Sequence, residues 1–341
     1  MNRIRLGRTN LMVSRSGFGA IPIQRIGFEE AREMLWTAYE SGINFYDTAR
    51  VYTDSEEKIG YAFSSVRKEV ILATKVMASD RKELLRILET SLAKLKTDYV
   101  DLLQIHNPDK LPDPSDPESF YRGLMEAKAK GLTRFIGLTN HKLNLALKAA
   151  ESKLYDTIQF PLSYLSTSQE LELTKVCRDN DIGLIAMKAL SGGLITDVVP
   201  AFAFLRQYDN IVPIWGIEEK WQLEQFIALE KEPPVLDSEM LKTIEKDRAE
   251  RSGSFCRGCG YCMPCPEGIP IPFAARMKLI LLRFPPQVFL NEEWKEKMEL
   301  IYNCQECGQC KENCPYELDT PNLLKNMLQD YLVVYNNRNV Y

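Results

Sequence analysis

From residue 16 to about residue 230, short apolar runs alternate with longer amphipathic stretches. The apolar runs have the composition and spacing of strands, and eight are predicted: Ser16–Ala20, Asn44–Thr48, Val70–Lys75, Val100–His106, Arg134–Asn140, Thr157–Phe160, Gly183–Lys188 and Ile211–Ile217. Apolar residues at helical spacing lie between them, as in Glu29–Ser41, Ser55–Val66, Arg81–Lys96 and Ser119–Lys130. Strands separated by helices in this way predict βαβ units and a parallel sheet.

Eight such units within about 200 residues are typical of a closed (β/α)8 barrel, the TIM barrel, so the predicted fold class is α/β. An open, doubly wound sheet is the alternative. It is disfavoured because no Gly-x-Gly-x-x-Gly sequence follows an early strand.

The chain of 341 residues is longer than one ordinary domain needs. The pair Pro233-Pro234 ends the last barrel helix, and a charged stretch follows it. We therefore expect four segments along the chain: a barrel at 1–235, a helical connector at 236–252, a cysteine-rich domain at 253–320, and a C-terminal helix and tail at 321–341.

Composition and charge limit the classes of function. The chain is 45% hydrophobic and 26% charged, which is typical of a soluble globular protein. Its formal net charge of −4 offers no electrostatic surface for nucleic acid or anionic membranes. No apolar run is long enough to span a bilayer, and no apolar signal segment follows Met1. We therefore expect a cytoplasmic location, with neither nucleic acid nor membrane as a partner.

Eight of the nine cysteines form two runs in the last third of the chain, and each run ends in Cys-Pro. The first run comprises Cys256, Cys259, Cys262 and Cys265, and the second comprises Cys304, Cys307, Cys310 and Cys314. Three cysteines, each two residues apart, hold one iron–sulfur cube, and the fourth, before proline, reaches the other cube. This spacing predicts two [4Fe–4S] clusters, one held by Cys256, Cys259, Cys262 and Cys314, the other by Cys304, Cys307, Cys310 and Cys265.

Zinc is the main alternative, because two zinc knuckles would use the same eight thiolates. Such sites usually place two Cys-x-x-Cys pairs far apart, and disulfides are disfavoured in a reducing compartment. The remaining cysteine, Cys177, is expected to be a buried thiol on a helix over Gln169–Asn180. Helices are also predicted between and after the cysteine runs, over Phe273–Phe284, Asn291–Tyr302 and Asn322–Val333. This arrangement resembles the all-helical two-cluster ferredoxin domain of respiratory dehydrogenase subunits.

Four polar residues lie at or just after predicted strand ends, and we call them the barrel tetrad: Asp47, Tyr52, Lys75 and His106. Active residues of TIM barrels lie at the C-terminal ends of strands, so these side chains should share one mouth. A free tyrosine has a pKa of about 10, and a nearby ammonium group lowers that value. Lys75 would make Tyr52 a better acid, Asp47 would keep Lys75 charged, and His106 would orient a carbonyl oxygen. Each residue alone has an ordinary structural explanation, but their combination predicts a proton-transfer site.

The sequence around the tetrad resembles the aldo-keto reductase family over residues 3–230. The resemblance rests on several short segments: Arg5-Leu6-Gly7-Arg8-Thr9, Asn44-Phe45-Tyr46-Asp47-Thr48-Ala49 with Tyr52 and Ser55-Glu56, Thr74-Lys75, Gln104-Ile105-His106 and Ile136-Gly137-Leu138-Thr139-Asn140. It implies that Tyr52 is the general acid, that Lys75 and Asp47 tune it, and that His106 orients the carbonyl. It also implies a nicotinamide cofactor across the barrel mouth, with its carboxamide at Thr139, Asn140 and Gln159.

Three further positions belong to the implied cofactor site. Two of them depart from the family pattern, and the third permits close contact with the cofactor. Met187 stands where the family usually stacks an aromatic ring on the nicotinamide, and a thioether packs there more adaptably. Gly216 permits close approach of the cofactor. Gln222 stands where an arginine often binds the adenosine 2′-phosphate, and Glu218 and Glu219 would repel a phosphate. The sequence therefore favours NAD(H) over NADP(H), or no strong preference.

The leading hypothesis is an NAD(P)-dependent oxidoreductase of aldo-keto reductase type. It would reduce a small-molecule carbonyl, or oxidise an alcohol, and exchange electrons through two [4Fe–4S] clusters with a one-electron partner such as a ferredoxin or flavoprotein. Nicotinamides pass hydride and clusters pass single electrons, so a converter such as a flavin is needed, although the sequence carries no flavin signature. The alternative is a non-catalytic electron-transfer or docking protein that uses the barrel as a scaffold.

Overall fold

The structure is a computed structural model that describes residues 1–251, 255–282, 284–314 and 316–337. Parts of three predictions lie outside the described residues: the junction of connector and cysteine-rich domain at 252–254, the proline of the second Cys-Pro at 315, and the tail at 338–341. The chain divides into two compact units, Met1–Leu241 and Lys242–Tyr341.

The first unit is built around a closed parallel barrel, which is preceded by a short antiparallel hairpin of β1 (Arg3–Arg5) and β2 (Met12–Ser14). The barrel strands follow in chain order: β3 (Gly17–Gly19), β4 (Phe45–Asp47), β5 (Ile71–Val76), β6 (Val100–His106), β7 (Thr133–Thr139), β8 (Thr157–Pro161), β9 (Gly183–Met187) and β10 (Ile211–Gly216). Each strand pairs in parallel with the next, and β10 pairs with β3 to close the ring. The predicted α/β class and TIM barrel are confirmed.

Helices follow the barrel strands as expected for βαβ units. Their bounds are α1 (Phe28–Glu40), α2 (Ser55–Phe63), α3 (Arg81–Leu95), α4 (Phe120–Ala129), α5 (Leu143–Ser152), α6 (Ser168–Asp179), α7 (Val198–Arg206) and α8 (Lys220–Lys231). A further helix, α9 (Ser238–Arg251), comes after α8, and the division between the two units falls within it. Helix α2 ends three residues before the predicted Val66, because a 3-10 turn over Arg67–Glu69 follows it. Cys177 lies on α6 and is fully buried, and burial raises the pKa of its thiol to about 12.

The N-terminal hairpin, which the sequence pattern did not predict, packs on one end of the barrel. Its residues Leu6, Leu11 and Val13 form one apolar cluster with residues early in the strands, including Phe45 and Leu102. Burying each such side chain contributes about 1.5–3 kcal/mol. The hairpin therefore covers the end where the strands begin, and the end where they finish carries the polar residues.

A close approach of backbones fixes this hairpin. Gly7 lies between β1 and β2 with a φ of +49°, and a Cβ atom there would lie 2.1 Å from the backbone nitrogen of Gly183 at the start of β9. The backbone nitrogen of Arg8 donates to the carbonyl oxygen of Asp181 at 2.7 Å. Only glycine fits at this position without displacing β9.

The second unit is helical in its described residues. Its helices are α10 (Ile271–Ala274), α11 (Met277–Leu281), α12 (Glu292–Glu299), α13 (Gln309–Glu312) and α14 (Thr320–Asn336). Helix α14 supplies Leu324, Leu328 and Tyr331 to a buried cluster that it shares with α10, α11 and α12. None of the described helices in either unit is long and apolar enough to cross a membrane.

The prediction of one helix over Phe273–Phe284 is wrong, because the chain breaks between α10 and α11. At the break, the backbone nitrogen of Arg276 bonds to the carbonyl oxygen of Phe273, three residues back, in a tightened turn. The Arg276 side chain also donates from Nε to the carbonyl oxygen of Pro272 at 2.6 Å. A side chain that donates a hydrogen bond to a backbone carbonyl oxygen competes with the backbone hydrogen bonds that would continue the helix.

Candidate functional site

A buried ion pair joins neighbouring strand ends in the barrel. Asp47 is the last residue of β4, and Lys75 lies near the end of β5. The Nζ of Lys75 donates to Oδ2 of Asp47 at 2.5 Å and to the carbonyl oxygen of Thr48 at 2.6 Å. The two residues are only 2% and 1% exposed. Burial raises the pKa of Asp47 and lowers the pKa of Lys75, and the attraction between the two charges opposes both shifts.

The two rings of the tetrad lie beside this ion pair. Tyr52 follows β4 in a turn in which its backbone nitrogen bonds to the carbonyl oxygen of Ala49 at 3.0 Å. The Nζ of Lys75 lies 5.1 Å from the centroid of the Tyr52 ring. The ring of His106, at the end of β6, meets the Tyr52 ring edge-on, with centroids 5.9 Å apart. The structure thus brings all four tetrad residues together.

His106 is held in its neutral form. Burial lowers the pKa of His106 to about 3, and the positive charge of Lys75 adds to the effect. Its Nδ1 atom is buried and has no hydrogen-bond partner among the described residues. A neutral imidazole offers one N–H donor and one acceptor, so His106 can donate a hydrogen bond to a carbonyl oxygen without carrying a charge.

Two glutamines complete the surroundings of Asp47. Nε2 of Gln104 donates to Oδ1 of Asp47 at 3.3 Å and to Oε1 of Gln159 at 2.9 Å. Nε2 of Gln159 donates to Oδ2 of Asp47 at 3.4 Å. Both carboxylate oxygens of Asp47 therefore accept hydrogen bonds from side chains that are themselves buried.

Sequence reasoning did not assign a role to Gln104. It lies two residues before His106 on β6, so both side chains point to the same face of the strand. A polar side chain inside an otherwise apolar strand is the signal that could have identified it, because buried amides need partners. Gln159, predicted as a cofactor contact, contacts Asp47 in addition.

Thr139 and Asn140 lie at the end of β7, beside the end of β6. The register pairs His106 with Thr139, and Oγ1 of Thr139 accepts from the backbone nitrogen of Asn107 at 3.1 Å. Asn140 donates to the carbonyl oxygen of Pro108 at 2.8 Å and accepts from the backbone nitrogen of Lys142 at 2.7 Å. The Asn140 amide therefore already braces the loop after β6, although its oxygen can still accept a second bond.

Met187 and Gly216 end adjacent strands, β9 and β10, at the same end of the barrel. Met187 is partly buried and packs on the apolar cluster inside the barrel. Gly216 is exposed, and a Cβ atom there would meet only Pro22, no closer than 3.4 Å. The space above Gly216 is therefore open.

The side chain of Gln222 caps the N-terminus of α8. Its Oε1 atom accepts hydrogen bonds from the backbone nitrogens of Glu218 and Glu219, at 2.9 and 3.1 Å. These backbone donors would otherwise be free to bind an anion at the helix N-terminus. Glu218 forms an ion pair with Arg25 at 3.0 Å, which opposes the rise in the pKa of Glu218 caused by burial.

In the second unit, cysteines of the first run lie close to cysteines of the second run. Burial raises the pKa of Cys259, and the charges of Cys256 and Cys314 raise it further. Burial also raises the pKa of Cys262 to about 12, with further contributions from Cys256 and Cys259. Cys314, from the second run, therefore lies near Cys259 of the first run.

A nearby cavity is also lined by cysteines of both runs. Its cysteine lining combines both runs: Cys262, Cys265, Cys304, Cys307 and Cys310. Cys265, from the first run, lies there with three cysteines of the second. Cys262, which the prediction assigns to the other cluster, also lines this cavity, so the division of the eight cysteines into two ligand sets stays a prediction.

The donor chemistry of these cysteines fits iron–sulfur cubes. No group of three or more Cys, His, Asp or Glu side chains in the described part of the chain converges closely enough to hold a single metal ion. The cysteines of a cube bind different iron atoms, so they surround the cluster and do not meet at one point.

The family model that matches the barrel is the aldo/keto reductase family, over residues 16–202. The chain belongs to this family. A second model, the 4Fe-4S dicluster domain, matches residues 255–319. The resemblance stated from the sequence motifs is confirmed for both parts of the chain. The protein is therefore an oxidoreductase of the aldo/keto reductase family that carries an iron–sulfur domain.

Named relatives support the assignment of the barrel. A methylglyoxal reductase of Salmonella typhimurium is 38% identical over 249 residues, which cover 68% of this chain and 90% of that protein. L-galactose dehydrogenase of Arabidopsis thaliana is 29% identical over 219 residues, 57% of this chain and 67% of the relative. The structure of aldo-keto reductase AKR11C1 from Bacillus halodurans matches with a TM-score of 0.64 at 23% identity, covering 72% of this chain and 96% of that one. At that identity the structural match shows the fold alone.

Proposed function

We propose that the barrel reduces a small carbonyl compound with a nicotinamide cofactor, and that two [4Fe–4S] clusters in the second unit exchange single electrons with a redox partner. The observation that carries the first half is the placement of the Lys75 ammonium group, held by Asp47, 5.1 Å from the Tyr52 ring. We infer that an ammonium group beside the tyrosine favours its phenolate and makes it a stronger acid.

Each tetrad residue has a separate task in this proposal. The nicotinamide, when bound, supplies a hydride to the carbonyl carbon. Neutral His106 donates a hydrogen bond to the carbonyl oxygen and orients it. Tyr52 then transfers its hydroxyl proton to that oxygen, and Lys75 stabilises the phenolate that remains. Asp47 fixes the position of Lys75.

Two observations favour binding of a cofactor and substrate at this end of the barrel. The Oε1 atom of Gln104 and the Nδ1 atom of His106 are buried, and neither has a hydrogen-bond partner among the described residues. Such atoms are costly unless a ligand or water satisfies them. On the opposite side of the same barrel end, Gly216 leaves the surface above β10 open to a flat ring or chain.

We infer that NAD(H) is preferred over NADP(H), or that neither is strongly preferred. Gln222 carries no positive charge, and its amide oxygen already occupies the backbone donors of Glu218 and Glu219. A 2′-phosphate at this position would therefore find no free backbone amides, and the nearby Arg25 is already paired with Glu218. The two carboxylates would in addition repel it.

The substrate proposed is a small aldehyde or ketone, or the corresponding alcohol in the reverse direction. Methylglyoxal is the first compound to test, because the relative from Salmonella typhimurium is named as its reductase. A sugar substrate is the second, because the relative from Arabidopsis thaliana is named a dehydrogenase of L-galactose.

For the clusters, anaerobic purification should yield about eight irons and eight sulfides per chain, four of each for every cube. Dithionite should bleach the broad visible absorption. Stoichiometric zinc without sulfide would contradict the cluster assignment.

The electron-exchange half of the proposal is tested with Cys304→Ala, which should lose one cluster. We expect this variant to reduce methylglyoxal with NADH at the parent rate but to lose exchange with an external one-electron dye. Equal dye exchange in parent and variant would show that the clusters only stabilise the fold.

A further inference from the structure

A cation lies beside the first cysteine run. Arg276, at the break between α10 and α11, is partly buried, and its Nε atom is fixed by the hydrogen bond to the carbonyl oxygen of Pro272 at 2.6 Å. Burial lowers the pKa of Arg276, and the negative charges of Cys256 and Cys259 oppose that effect. A guanidinium group nevertheless stays protonated in proteins, so Arg276 is a fixed positive charge.

The loop that carries the cysteines is shaped around this guanidinium group. Gly258 lies between Cys256 and Cys259, with a φ of +73°. A Cβ atom at Gly258 would lie 2.5 Å from Cζ and 2.6 Å from Nη1 of Arg276. The backbone nitrogen of Gly258 donates to Sγ of Cys256 at 3.3 Å. The glycine thus lets the guanidinium plane pack directly against the turn that presents two ligand sulfurs.

The opposite charges next to Arg276 are these thiolates. Among the described residues, no carboxylate forms an ion pair with it, and Cys256 and Cys259 are the anionic groups that act on it. A buried or partly buried cation is stable only when a negative charge compensates it. The cysteine ligands of a cluster provide that compensation.

The cavity that Cys304, Cys307 and Cys310 line with Cys265 has no lysine or arginine among its described lining residues. This cavity includes the carboxylates of Glu267 and Glu306. The nearby Lys325 is half exposed and is already paired with Glu306. Solvent and this partner screen its charge, so it stabilises added negative charge less than a partly buried guanidinium group does.

We propose that Arg276 is a positioning residue that raises the reduction potential of the cluster held by Cys256, Cys259, Cys262 and Cys314 above that of the other cluster. Reduction adds one electron to an assembly that is already anionic, and a fixed cation beside it stabilises the reduced form more than the oxidised form. An electron delivered to the second unit therefore settles on this cluster. The inference rests on the proposed cluster assignment and does not depend on carbonyl reduction.

The test is a redox titration of the anaerobically purified full chain, followed by electron paramagnetic resonance. The parent should show two one-electron steps, and the step that survives in Cys304→Ala identifies the cluster of the first run. Arg276→Met removes the charge and keeps much of the side-chain volume. We expect it to lower the midpoint of the higher step by about 59 mV or more, a tenfold change in the ratio of reduced to oxidised cluster, and to leave the lower step unchanged.

Two variants serve as controls. Arg276→Lys keeps the charge and should retain most of the parent potential. Lys278→Met removes one charge from α11, two residues away, where Lys278 is exposed and lies 3.6 Å from Asp330. It should leave both steps unchanged.

Two results would overturn the inference. One is a midpoint potential that is the same in Arg276→Met, Arg276→Lys and the parent. The other is a midpoint potential that shifts by the same amount in the two Arg276 variants. If Arg276→Met does not load the first cluster, Arg276→Gln replaces it and is judged in the same way against Arg276→Lys. Iron and sulfide analysis of the parent separates the two proposals. A parent without sulfide contradicts the cluster assignment, whereas a loaded parent with insensitive potentials contradicts only the role of Arg276.

Discussion

The barrel mouth and the cysteine runs build their chemistry in different ways. In the barrel, Asp47, Lys75 and His106 come from three strands and are brought together by the parallel sheet. Asp47 and Lys75 satisfy each other inside the fold, with two glutamines as additional donors. The cysteines are close in sequence, only partly buried or exposed, and suited to bonds with iron. The barrel site is preorganised by its own chain, whereas the cysteine site depends on the group that it binds.

The same difference applies to the two cores. The core of the barrel is built from fully buried side chains of every strand and of the N-terminal hairpin. In the second unit a small buried cluster around α14 is flanked by cysteines of both runs, including Cys256, Cys262 and Cys304. Small domains with limited cores commonly depend on metals or disulfides for stability. The iron–sulfur clusters should therefore supply part of the core of this unit.

Removal of iron should cause the largest change in structure, and it should affect the second unit but not the barrel. Structural zinc in zinc-finger peptides contributes on the order of 10–16 kcal/mol to folding, and clusters that fill part of a small core should act in the same direction. The chelated protein should therefore lose the structure of the second unit. The barrel should remain folded. Hydrogen exchange can check both expectations, with loss of protection in α12 and α14 and retained protection in β4, β5 and β6. Full protection of α14 after iron removal would contradict the contrast.

Breaking the ion pair of the barrel should produce the next largest effect. Lys75→Met leaves Asp47 buried without its ammonium partner and should lower the free energy of unfolding of the barrel by about 3–5 kcal/mol. Denaturant unfolding followed on the barrel measures this change. The double variant Asp47→Asn with Lys75→Met should recover part of the loss, because it removes the uncompensated charge. A double variant no more stable than Lys75→Met would argue against a charged pair.

Cofactor selectivity offers a third test, confined to one end of α8. The parent should bind NADH at least as tightly as NADPH. Gln222→Arg adds a charged partner for a 2′-phosphate, worth about 1.5–3 kcal/mol, and should tighten NADPH binding by about tenfold or more relative to NADH. Fluorescence titration measures both dissociation constants. Gln222→Met is the matched control, because it also loses the helix cap but adds no charge. Much tighter binding of NADPH by the parent would contradict this prediction.

The pH dependence of barrel stability offers a fourth test. The pKa of His106 is about 3 in the folded protein and about 6.5 in an unfolded chain, so between these values the unfolded state binds the extra proton. The contribution of neutral His106 is complete above about pH 6.5 and is lost as the pH falls towards 3, by up to about 1.4 kcal/mol per pH unit. Unfolding of the parent and of His106→Gln between pH 7 and 4.5 measures it. Equal slopes in the two proteins would show that His106 is not held neutral.

The strand pattern of the barrel was predictable because each barrel strand is an apolar run between polar loops. Strand β6 occupies the predicted Val100–His106, and the other barrel strands differ from prediction by only one or two residues at their ends. The hairpin at residues 3–14 was not predictable in the same way. Its strands have three residues each, too few to establish a periodicity, and its position depends on a contact with β9.

The candidate site was predictable to a similar extent. Strand ends identified the tetrad, because parallel strands finish at the same end of the barrel. The link from Gln104 to both Asp47 and Gln159 depends on distances across the barrel interior, which a linear pattern does not contain. In the second unit, the cysteine spacing predicts two ligand sets, and that assignment stays a prediction. The packing of Arg276 on Gly258 depends on a helix break that the apolar pattern of Phe273–Phe284 conceals.

The most direct test of the central claim, that the preorganised tetrad transfers a proton to a carbonyl oxygen, is the turnover of Tyr52→Phe with methylglyoxal and NADH. The substitution keeps the ring beside His106 and Lys75 and removes only the transferable proton. We expect a loss of carbonyl reduction of at least about 10²-fold, with unchanged iron content and an unchanged fold by circular dichroism. Carbonyl reduction at the parent rate in Tyr52→Phe would contradict it.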